Sequence, residues 1–340
     1  MSNLAEIVVI TGPTASGKSR LALEIARNRD AEIVNADSVC VYRHFDIGTS
    51  KPSAEDLKIC PHHLISFLDP SEEYSAGRFM READRVIREI LARGKLPLVV
   101  GGTGLYIRAL LSGLVAAEMD AEFDEAVFLE REAELKAVAE SSEQFVHLMY
   151  SWLQAEDPDI SKRISANDLG RIRRALRVKL CCDKQLSVLQ EEHAGGEARY
   201  RALAIALFPG REGLYRAINK RVDDMIAQGL IEEVVYLRKK YSKECKAFGA
   251  IGYRHVSSYL DEVFSRDEMV ELLKRDTRRY AKRQLTWWRN QAKKLGWDEL
   301  PCKNVLGDQG VLLKTTLDIL RQEFPHGGQK VSFQRMEYNL

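Results

Sequence analysis

The stretch Gly12-Pro-Thr-Ala-Ser-Gly-Lys-Ser19 fits the pattern G-x-x-x-x-G-K-[ST], and it decides the fold class. The preceding run, Glu6-Ile-Val-Val-Ile-Thr11, is apolar and β-branched, as a buried parallel strand is. The following run, Ser19–Arg29, places Leu21 and Ile25 at helical spacing. Because a strand, a glycine-rich loop and a helix follow one another, the sequence predicts a phosphate-binding loop in an α/β fold.

The residues of this loop suit a phosphorylated ligand. Gly12 and Gly17 let the backbone curl, so that successive N–H groups and the helix N-terminus point at phosphate oxygens. Lys18 adds a mobile cation, and the hydroxyl of Ser19 is a candidate ligand for a Mg²⁺ bound to the same phosphates. The pattern is typical of nucleotide-binding and ATP-binding proteins. The predicted diphosphate- or nucleotide-binding residues are Gly12, Pro13, Thr14, Ala15, Ser16, Gly17, Lys18 and Ser19.

The strand that would hold Mg²⁺ in a nucleotide-hydrolysing enzyme lacks its acidic residue. The candidate strand Leu96-Pro-Leu-Val-Val100 is followed by Gly101-Gly-Thr-Gly104, without a carboxylate. A carboxylate instead follows another strand-like run, Glu32-Ile-Val-Asn-Ala-Asp37. Because ligands bind outside the carboxyl ends of parallel strands, we expect Asp37 and Thr103 to converge on the ligand of the loop. The alternative is that Asp37 only caps a helix or a turn.

Composition indicates a globular protein and excludes several classes. The 340 residues are 45% hydrophobic and 30% charged, with a net charge of +1, so any nucleic-acid surface must be local. No apolar run approaches the roughly 20 residues that cross a bilayer, and the N-terminus has no export signal. The six cysteines form no C-x-x-C pair, which favours reduced thiols in a cytoplasm. We expect a cytoplasmic monomer without membrane association.

Two segments are strongly basic. The first, Ser161–Lys179, carries a cluster of arginines, and the second, Lys274–Arg289, interleaves cations with Tyr280, Trp287 and Trp288. Arginine and lysine neutralise phosphates, and aromatic rings stack on unpaired bases, which is how single-stranded RNA loops are bound. The alternatives are a solvated helix face for either segment and core packing for the tryptophans, of which one is expected to pack inward.

The order of segments predicts an α/β fold, with a P-loop NTPase-like core whose parallel sheet is flanked by helices, plus an inserted all-helical subdomain. Strands and helices alternate at first, and a charged helical block then begins near Asp120. After it, Arg201–Phe208 returns to a strand-like apolar run. A helical block between two α/β stretches is typical of an inserted subdomain.

Further motifs follow the loop in a fixed order along the chain. They are Asn35-Ala-Asp-Ser38, Asp46-Ile-Gly-Thr-Ser-Lys-Pro52, Pro61-His-His-Leu64, Asp69-Pro70, Tyr74-Ser-Ala76, Gly101-Gly-Thr-Gly-Leu-Tyr106, Asn167-Asp168, Arg171–Ala175, Asn219-Lys-Arg-Val-Asp-Asp-Met225, Gly229-Leu230, Ile251-Gly-Tyr-Arg254 and Lys282-Arg-Gln-Leu-Thr-Trp287. With these motifs the chain resembles the bacterial tRNA dimethylallyltransferases, also called tRNA isopentenyltransferases, from Ile7 to about Arg289. A generic P-loop protein shares the first motif alone.

The resemblance implies that the loop holds dimethylallyl diphosphate and not ATP, so the missing carboxylate is no loss. It implies transfer of the dimethylallyl group to N6 of the adenosine 3′-adjacent to the anticodon, in tRNAs that read codons beginning with U. The products are then N6-isopentenyladenosine and diphosphate, with Mg²⁺ as cofactor and the tRNA anticodon stem-loop as partner. The acceptor base would be extruded into a channel, because its amine is unreachable within the stacked loop.

The resemblance also implies roles for single residues. Asp37 is expected to be the general base for the N6 proton, and Thr103 to hydrogen-bond near the adenine or the donor. Lys18, Arg221 and a Mg²⁺ that touches Ser19 are expected to stabilise the departing diphosphate. The predicted catalytic residues are thus Asp37, Thr103, Lys18 and Arg221. On spacing alone, Arg221 is as well explained as a plain arginine on a helix surface.

The tRNA contacts implied by the resemblance lie mostly in the basic segments and beside Asp37. They are Asp37, Ser38, Val39, Cys40, Thr103, Gly170, Arg171, Ile172, Arg173, Arg174, Gly249, Ala250, Ile251, Gly252, Tyr253, Arg254, Lys282, Arg283, Gln284, Thr286, Trp287 and Arg289. For the stretch from Gly252 to Arg254, the alternative is a turn with a surface arginine.

The sequence predicts that the chain divides into four parts. Residues 1–117 form the first part of the core, 118–199 the helical insertion that contacts tRNA, and 200–300 the second part of the core with its basic helices. Residues 301–340 form a loosely held C-terminal segment. The chain departs from the family pattern at Val115–Asp120, where a proline-containing start of the insertion is expected.

Two other classes of function stay open on the sequence. An adenylate isopentenyltransferase or a P-loop small-molecule kinase would share the loop, but neither needs the two basic segments. An RNA-binding module whose P-loop is a regulatory switch would show nucleotide-dependent RNA affinity and no prenyl transfer.

Overall fold

The structure is a computed structural model, and it describes residues 5–114, 126–192, 199–294, 299–304, 316, 318 and 332–338. The chain divides into two compact units. One, the core unit, consists of Met1–Leu111 and Ala198–Leu340, and the other, the helical unit, is Ser112–Glu197. The helical unit is thus inserted into the sequence of the core unit.

The described strands of the core unit form a single parallel sheet. They are β1 (Glu6–Thr11), β2 (Ala31–Asn35), β3 (His62–His63), β4 (Leu96–Gly101), β5 (Arg201–Pro209), β6 (Glu299–Asn304) and β7 (Ser332–Tyr338). Their order is β3-β2-β4-β1-β5-β7-β6. Since β1 lies between β4 and β5, the loop after β1 leaves the middle of the carboxyl edge, where ligands of parallel sheets bind.

Helices connect these strands and form the helical unit. In the core unit they are α1 (Lys18–Asn28), α2 (Ala54–Ile59), α3 (Ala76–Ala92), α4 (Gly104–Ser112), α10 (Arg211–Ala227), α11 (Leu230–Lys240), α12 (Ile251–Leu260) and α13 (Arg266–Lys294). The helical unit contains α5 (Ala126–Val138), α6 (Ser142–Glu156), α7 (Pro158–Ser161), α8 (Leu169–Cys182) and α9 (Leu186–Glu192).

The sheet is covered on both faces, which explains why its central strands are continuous apolar runs. Side chains of a strand point alternately to opposite faces. Val8 accordingly belongs to the buried cluster that contains Leu21 of α1. Its neighbour Val9 belongs to the cluster that contains Phe79 of α3. Helices on both faces exclude water, and every described residue of β1 after Glu6 is therefore buried.

The helical unit has a hydrophobic core of its own. Phe128 of α5, Met149 of α6 and Ile172 of α8 belong to one buried cluster. Asp157 links two helices of this unit, because its carboxylate accepts hydrogen bonds from the backbone N–H of Ile160 at 3.1 Å and of Ser187 at 3.0 Å. A separate core and its own buried polar links make this segment a compact unit.

The predicted fold class is confirmed, with a parallel sheet, flanking helices and a helical insertion. β7 lies within residues 301–340, the segment that we predicted to be loosely held, and β6 overlaps the start of that segment. Its residues 305–315 and 319–331 lie outside the described residues, as does the departure at Val115–Asp120, so both points stay predictions. Within the described part of the chain, no helix has the length and apolar character needed to span a membrane.

Candidate active site

The loop between β1 and α1 has the geometry of a phosphate cradle. Gly17 precedes α1 in a left-handed conformation, with φ at 82°. Gly12 has φ at 145°, and a Cβ there would approach the carbonyl oxygen of Leu207 to 2.7 Å, so only glycine fits. The Lys18 ammonium folds back over this loop and donates to the carbonyl oxygen of Pro13 at 2.6 Å. The loop therefore has the curled, glycine-dependent backbone that a phosphate-binding loop requires.

Two cations share this region without a matching number of anions. Burial, and secondly the charge of Arg221 on α10, lower the pKa of Lys18 to about 7. Burial also lowers the pKa of Arg221, against the attraction of Cys40 and Asp37. Among the described residues, no carboxylate forms an ion pair with Lys18 or with Arg221. Two neighbouring cations without a carboxylate ion-pair partner are an arrangement that favours an anionic ligand.

Asp37 and Thr103 lie side by side at the carboxyl edge of the sheet, after β2 and β4. The Thr103 hydroxyl accepts a hydrogen bond from the backbone N–H of Ser38 at 3.3 Å. Oδ1 of Asp37 accepts from the backbone N–H groups of Val39 at 2.8 Å and Cys40 at 3.3 Å. Asp37 therefore caps a turn, as the alternative interpretation has it, and that cap fixes the orientation of the carboxylate. Within the described part of the chain nothing donates to its Oδ2, so this oxygen is available to a substrate.

A cavity of about 360 Å³ opens beside Asp37 and Arg221. Its walls come from the loop after β2, from the Asp46–Thr49 loop, and from α10, α12 and α13. Its lining combines polar groups with apolar side chains, as in pockets that orient a small ligand. It is lined by Thr14, Asp37, Ser38, Val39, Gly48, Thr49, Arg221, Val222, Met225, Gly249, Ala250, Ile251, Gly252, Arg254, Leu273, Thr277, Tyr280 and Arg283.

Gln284 ties the basic helix α13 to the phosphate-binding loop. Its side-chain oxygen accepts from the backbone N–H of Thr14 at 2.9 Å, and its amide donates to the carbonyl oxygen of Gly102 at 3.0 Å. The residue is only 7% exposed, so both bonds form away from water. One side chain thus joins the loops that follow β1 and β4, and it sets the distance between them.

The predicted tRNA contacts of α13 divide between two faces of the helix. Those on one face are exposed, namely Lys282, Arg283, Thr286 and Arg289. Gln284 and Trp288 lie one helical turn apart on the same face of α13, and both are buried. Trp287 is half-buried. Trp288 is the tryptophan that packs inward, as expected. The exposed cations therefore lie on one face of α13.

The segment Gly249–Arg254 borders the cavity except for one member. Five of its six residues line the cavity, but the side chain of Tyr253 is fully buried and its hydroxyl donates to Glu233 at 2.7 Å. Cys40 is likewise 8% exposed, and its thiol contacts the carbonyl oxygen of Thr49 at 3.7 Å. The side chains of Tyr253 and Cys40 support the walls of the cavity, whereas Arg254 is exposed.

In the helical unit, the predicted contacts cluster at the start of α8. Gly170, Arg171 and Arg174 are exposed, and Arg173 is half-buried and paired with Glu132. Ile172 is fully buried in the core of that unit. Arg171 and Arg174 are therefore exposed cations, of which Arg171 pairs with the neighbouring Asp168 at 3.1 Å, while Ile172 stabilises the helix that carries them.

The donors near the loop suit a Mg²⁺ that is held mainly by a bound phosphate group. Ser19 is exposed in the first turn of α1, and among the described residues its hydroxyl has no hydrogen-bond partner. No group of three His, Cys, Asp or Glu that could hold a metal occurs among the described residues. Magnesium prefers oxygen ligands, keeps several waters and is commonly bound through substrate phosphates, so the Ser19 hydroxyl is a candidate ligand beside a bound diphosphate.

The sequence analysis assigned no site role to several residues of this region, among them Tyr280 and Glu233. Tyr280 lines the cavity, and its position among the cations of α13 was the available signal. Burial and the nearby charge of Asp37 raise its pKa, which keeps the phenol protonated. Glu233 was also missed, because a glutamate on an amphipathic helix gives no sign of a distant partner.

The family model described as IPP transferase matches residues 40–291, which is more than half of the chain. The chain belongs to this family. A second model, described as isopentenyl transferase, matches residues 5–66, the part that contains the phosphate-binding loop and Asp37. The resemblance inferred from the motifs is thereby confirmed.

Proteins similar to this IPP transferase family member come from several bacteria. The chain is 47% identical over 295 residues to tRNA dimethylallyltransferase 1 of Syntrophotalea carbinolica, covering 86% of this chain and 90% of that protein. It is 45% identical over 297 residues to the tRNA dimethylallyltransferase of Geobacter sulfurreducens, covering 87% and 92%.

Solved structures of similar proteins share the architecture. The full-length tRNA isopentenylpyrophosphate transferase of Bacillus halodurans matches with a TM-score of 0.64 and 34% identity, covering 94% of this chain and 97% of the other. A eukaryotic dimethylallyltransferase acting on tRNA matches with a TM-score of 0.71 and 28% identity, covering 83% and 69%.

Diphosphate binding by this family member is expected to weaken as the pH rises above 7. The lowered pKa of Lys18, about 7, means that its protonated fraction falls about tenfold per pH unit above that value. A Lys18→Arg variant, which stays charged, is the reference, because inorganic diphosphate itself titrates. We expect the affinity of wild type relative to Lys18→Arg to fall about 10- to 100-fold between pH 7 and 9 in calorimetric titrations. A constant ratio would contradict the assignment of Lys18.

Proposed function

We propose that this protein transfers a dimethylallyl group from dimethylallyl diphosphate to N6 of the adenosine 3′-adjacent to the anticodon, in tRNAs that read codons beginning with U. The products are N6-isopentenyladenosine and diphosphate. Membership of the IPP transferase family and the tRNA dimethylallyltransferases among its relatives support the class of reaction. The observation that carries the proposal is the cation pair of Lys18 and Arg221 next to a cavity lined by Asp37.

The cradle and the cation pair would bind the diphosphate of the donor. Lys18 donates to the loop carbonyl of Pro13 in the free protein, and a phosphate oxygen in its place would restore full charge to the ammonium. Arg221 approaches from α10, so the two cations reach the diphosphate from different elements. As the allylic C–O bond breaks, negative charge grows on the leaving diphosphate. Cations fixed in place then stabilise the transition state more than the bound donor.

Asp37 would act on the acceptor amine. The lone pair of N6 forms the new bond to the allylic carbon, the bonding electrons leave with the diphosphate, and N6 must lose one proton. Oδ1 of Asp37 is held by the backbone N–H groups of Val39 and Cys40, which leaves Oδ2 to orient the amine and accept that proton. Thr103 contacts the same turn and holds it against the loop after β4.

A Mg²⁺ on the diphosphate, touched by the hydroxyl of Ser19, would supply further charge neutralisation. Ser19 follows Lys18 at the start of α1, where the positive end of the helix dipole also favours a diphosphate. Ser19 would contribute one hydroxyl oxygen, and N–H groups of the loop would position the leaving group.

The RNA surface proposed for the core unit is the exposed face of α13 together with Arg254. Its cations would bind the phosphates of the anticodon stem-loop, and Tyr280 at the cavity could stack on the extruded base. Arg171 and Arg174 offer a second basic surface on the helical unit. We also propose that the protein works as a monomer in the cytoplasm, where its tRNA substrate is found.

Mass spectrometry of the acceptor decides between the candidate functions. The protein is incubated with dimethylallyl diphosphate, Mg²⁺ and either unmodified tRNA or AMP. We expect isopentenyladenosine in the digested tRNA and no prenylated product from AMP. Prenylated AMP would favour an adenylate isopentenyltransferase, and brisk consumption of ATP without any prenyl transfer would favour a kinase or a nucleotide switch. Either outcome would contradict the proposal.

A further inference from the structure

One wall of the cavity is a loop without regular secondary structure, Asp46–Thr49. Gly48 and Thr49 of this loop line the cavity, and neither residue belongs to a strand or a helix. The Thr49 hydroxyl donates to the carbonyl oxygen of Phe45 at 2.7 Å, which tightens the loop internally. A loop of this kind needs an external anchor if it is to hold a wall in place.

Glu233 of α11 provides that anchor. Its Oε2 accepts hydrogen bonds from the backbone N–H groups of Asp46 at 3.1 Å and Ile47 at 2.7 Å. Its Oε1 accepts from the N–H of Gly48 at 3.3 Å and from the Tyr253 hydroxyl at 2.7 Å. Three consecutive amides thus converge on one carboxylate. Such charge-assisted bonds are about twice as strong as those between neutral groups.

Tyr253 of α12 fixes the geometry of this contact. Its side chain is fully buried, and its ring lies 4.7 Å from the ring of Phe45. A Cβ on Gly48 would approach the Tyr253 ring to 2.6 Å, so the loop backbone rests directly on the ring. Burial and the Glu233 carboxylate raise the pKa of Tyr253, so that its hydroxyl remains a donor. The carboxylate therefore has a fixed place above α12.

The Asp46–Thr49 loop in turn contacts the turn that carries Asp37. The Cys40 thiol donates to the carbonyl oxygen of Thr49 at 3.7 Å. The N–H of Cys40 is one of the two groups that hold Oδ1 of Asp37. A chain of contacts therefore runs from Glu233 through the loop to the carboxylate of Asp37. Glu233 has no contact with the phosphate-binding loop among the described residues.

We propose that Glu233 is a positioning residue, which holds the Asp46–Thr49 loop so that the Asp37 turn faces the reacting atoms. This inference rests on the proposed function for its catalytic consequence. If Glu233 has this role, its loss affects the rate of transfer but not diphosphate binding, whereas a general loss of stability would change both. The rate of transfer depends on the position of Asp37, whereas diphosphate binding depends on Lys18, Arg221 and the glycine loop.

The test compares Glu233→Gln with Glu232→Gln, a matched change at the exposed neighbouring residue. Glutamine keeps the size of the side chain, but its NH₂ group faces one or more of the donors and cannot accept their hydrogen bonds. At saturating tRNA and donor, we expect kcat of Glu233→Gln to fall about 10- to 100-fold, since a displacement of about 1 Å costs roughly that much. The Kd for inorganic diphosphate should stay within about twofold of the control.

Amide hydrogen exchange gives a readout that does not need activity. In Glu233→Gln, the peptide that covers Asp46–Thr49 should exchange faster by about tenfold or more, while the phosphate-binding loop exchanges as in the control. Tyr253→Phe removes a single bond to the carboxylate and should lower kcat about three- to tenfold in a protein that keeps its ring packing. It provides the measurement if Glu233→Gln does not fold.

The outcomes separate this inference from the proposed function. If the wild-type protein transfers no prenyl group, the proposed function is wrong, and amide hydrogen exchange still tests whether Glu233 anchors the Asp46–Thr49 loop. The positioning role is wrong if Glu233→Gln matches Glu232→Gln in both kcat and exchange. It is also wrong if kcat, diphosphate affinity and thermal stability all decline in proportion, because that pattern indicates a structural role alone.

Discussion

Asp37→Asn is expected to lower kcat/KM for prenyl transfer to tRNA by about 10²- to 10⁴-fold, the usual contribution of a general base. Asparagine keeps an Oδ1 that can accept from the backbone N–H groups of Val39 and Cys40, so the turn itself should persist. It has no carboxylate oxygen to orient the amine and take its proton. The measurement is the initial rate of isopentenyladenosine formation, followed by mass spectrometry of digested tRNA.

A second substitution separates the chemistry of Asp37 from its structural role. Asp37→Ala removes the cap of the turn as well as the base, so its melting temperature should fall below that of Asp37→Asn, while both lose activity. Loss of such a cap typically costs about 1 kcal/mol. If Asp37→Asn retains more than about a tenth of the wild-type rate, Asp37 is a turn cap only, and another group must accept the proton.

Arg221→Gln is expected to change activity and stability in opposite directions. It removes a cation from the departing diphosphate, and we expect kcat/KM to fall about 10²- to 10³-fold. Burial lowers the pKa of Arg221, which means that the folded state disfavours its charge when no ligand is present. Removing that charge should therefore raise the melting temperature of the ligand-free protein. Steady-state kinetics with labelled donor and thermal unfolding measure the two effects.

Lys220→Gln is the matched control, since Lys220 precedes Arg221 on the same helix and is exposed. Its ammonium pairs with Asp224 at 2.9 Å, and such exposed pairs contribute little to stability. We expect wild-type kinetics and a melting temperature within about a degree of wild type. If Arg221→Gln behaves like this control, Arg221 is a surface arginine, as its spacing alone allowed. Lower activity together with lower stability would point to a structural role.

The phosphate-binding loop and its place in the sheet could be predicted because the signals are local. A β-branched run, two glycines and a helical pattern occur within about thirty residues, and each agrees with the others. The meeting of Asp37 and Thr103 was also accessible, because both follow strands of one parallel sheet. Their places after neighbouring strands were enough, although the two residues are far apart in the sequence.

The contacts made by Glu233 and Gln284 could not be predicted in this way. Glu233 lies 185 to 187 positions from the loop amides that it accepts, and Gln284 lies 270 positions from Thr14. A glutamate on an amphipathic helix is usually a solvated surface residue. The glutamine stands among cations, where an RNA contact is the natural interpretation. Only the packing of α11 and α13 against α10 and α12 reveals which way each side chain points.

The bond pattern of Gln284 constrains how α13 can change in evolution or in the laboratory. An α-helix turns by about 100° per residue, so deleting one residue ahead of Gln284 would swing its amide away from Thr14 and Gly102. The same deletion would rotate the outward cations by the same angle. Such a helix tolerates replacement of side chains but not a change of length. Libraries that seek altered RNA preference should therefore vary Lys282, Arg283, Thr286 and Arg289 at constant spacing, and avoid insertions and deletions.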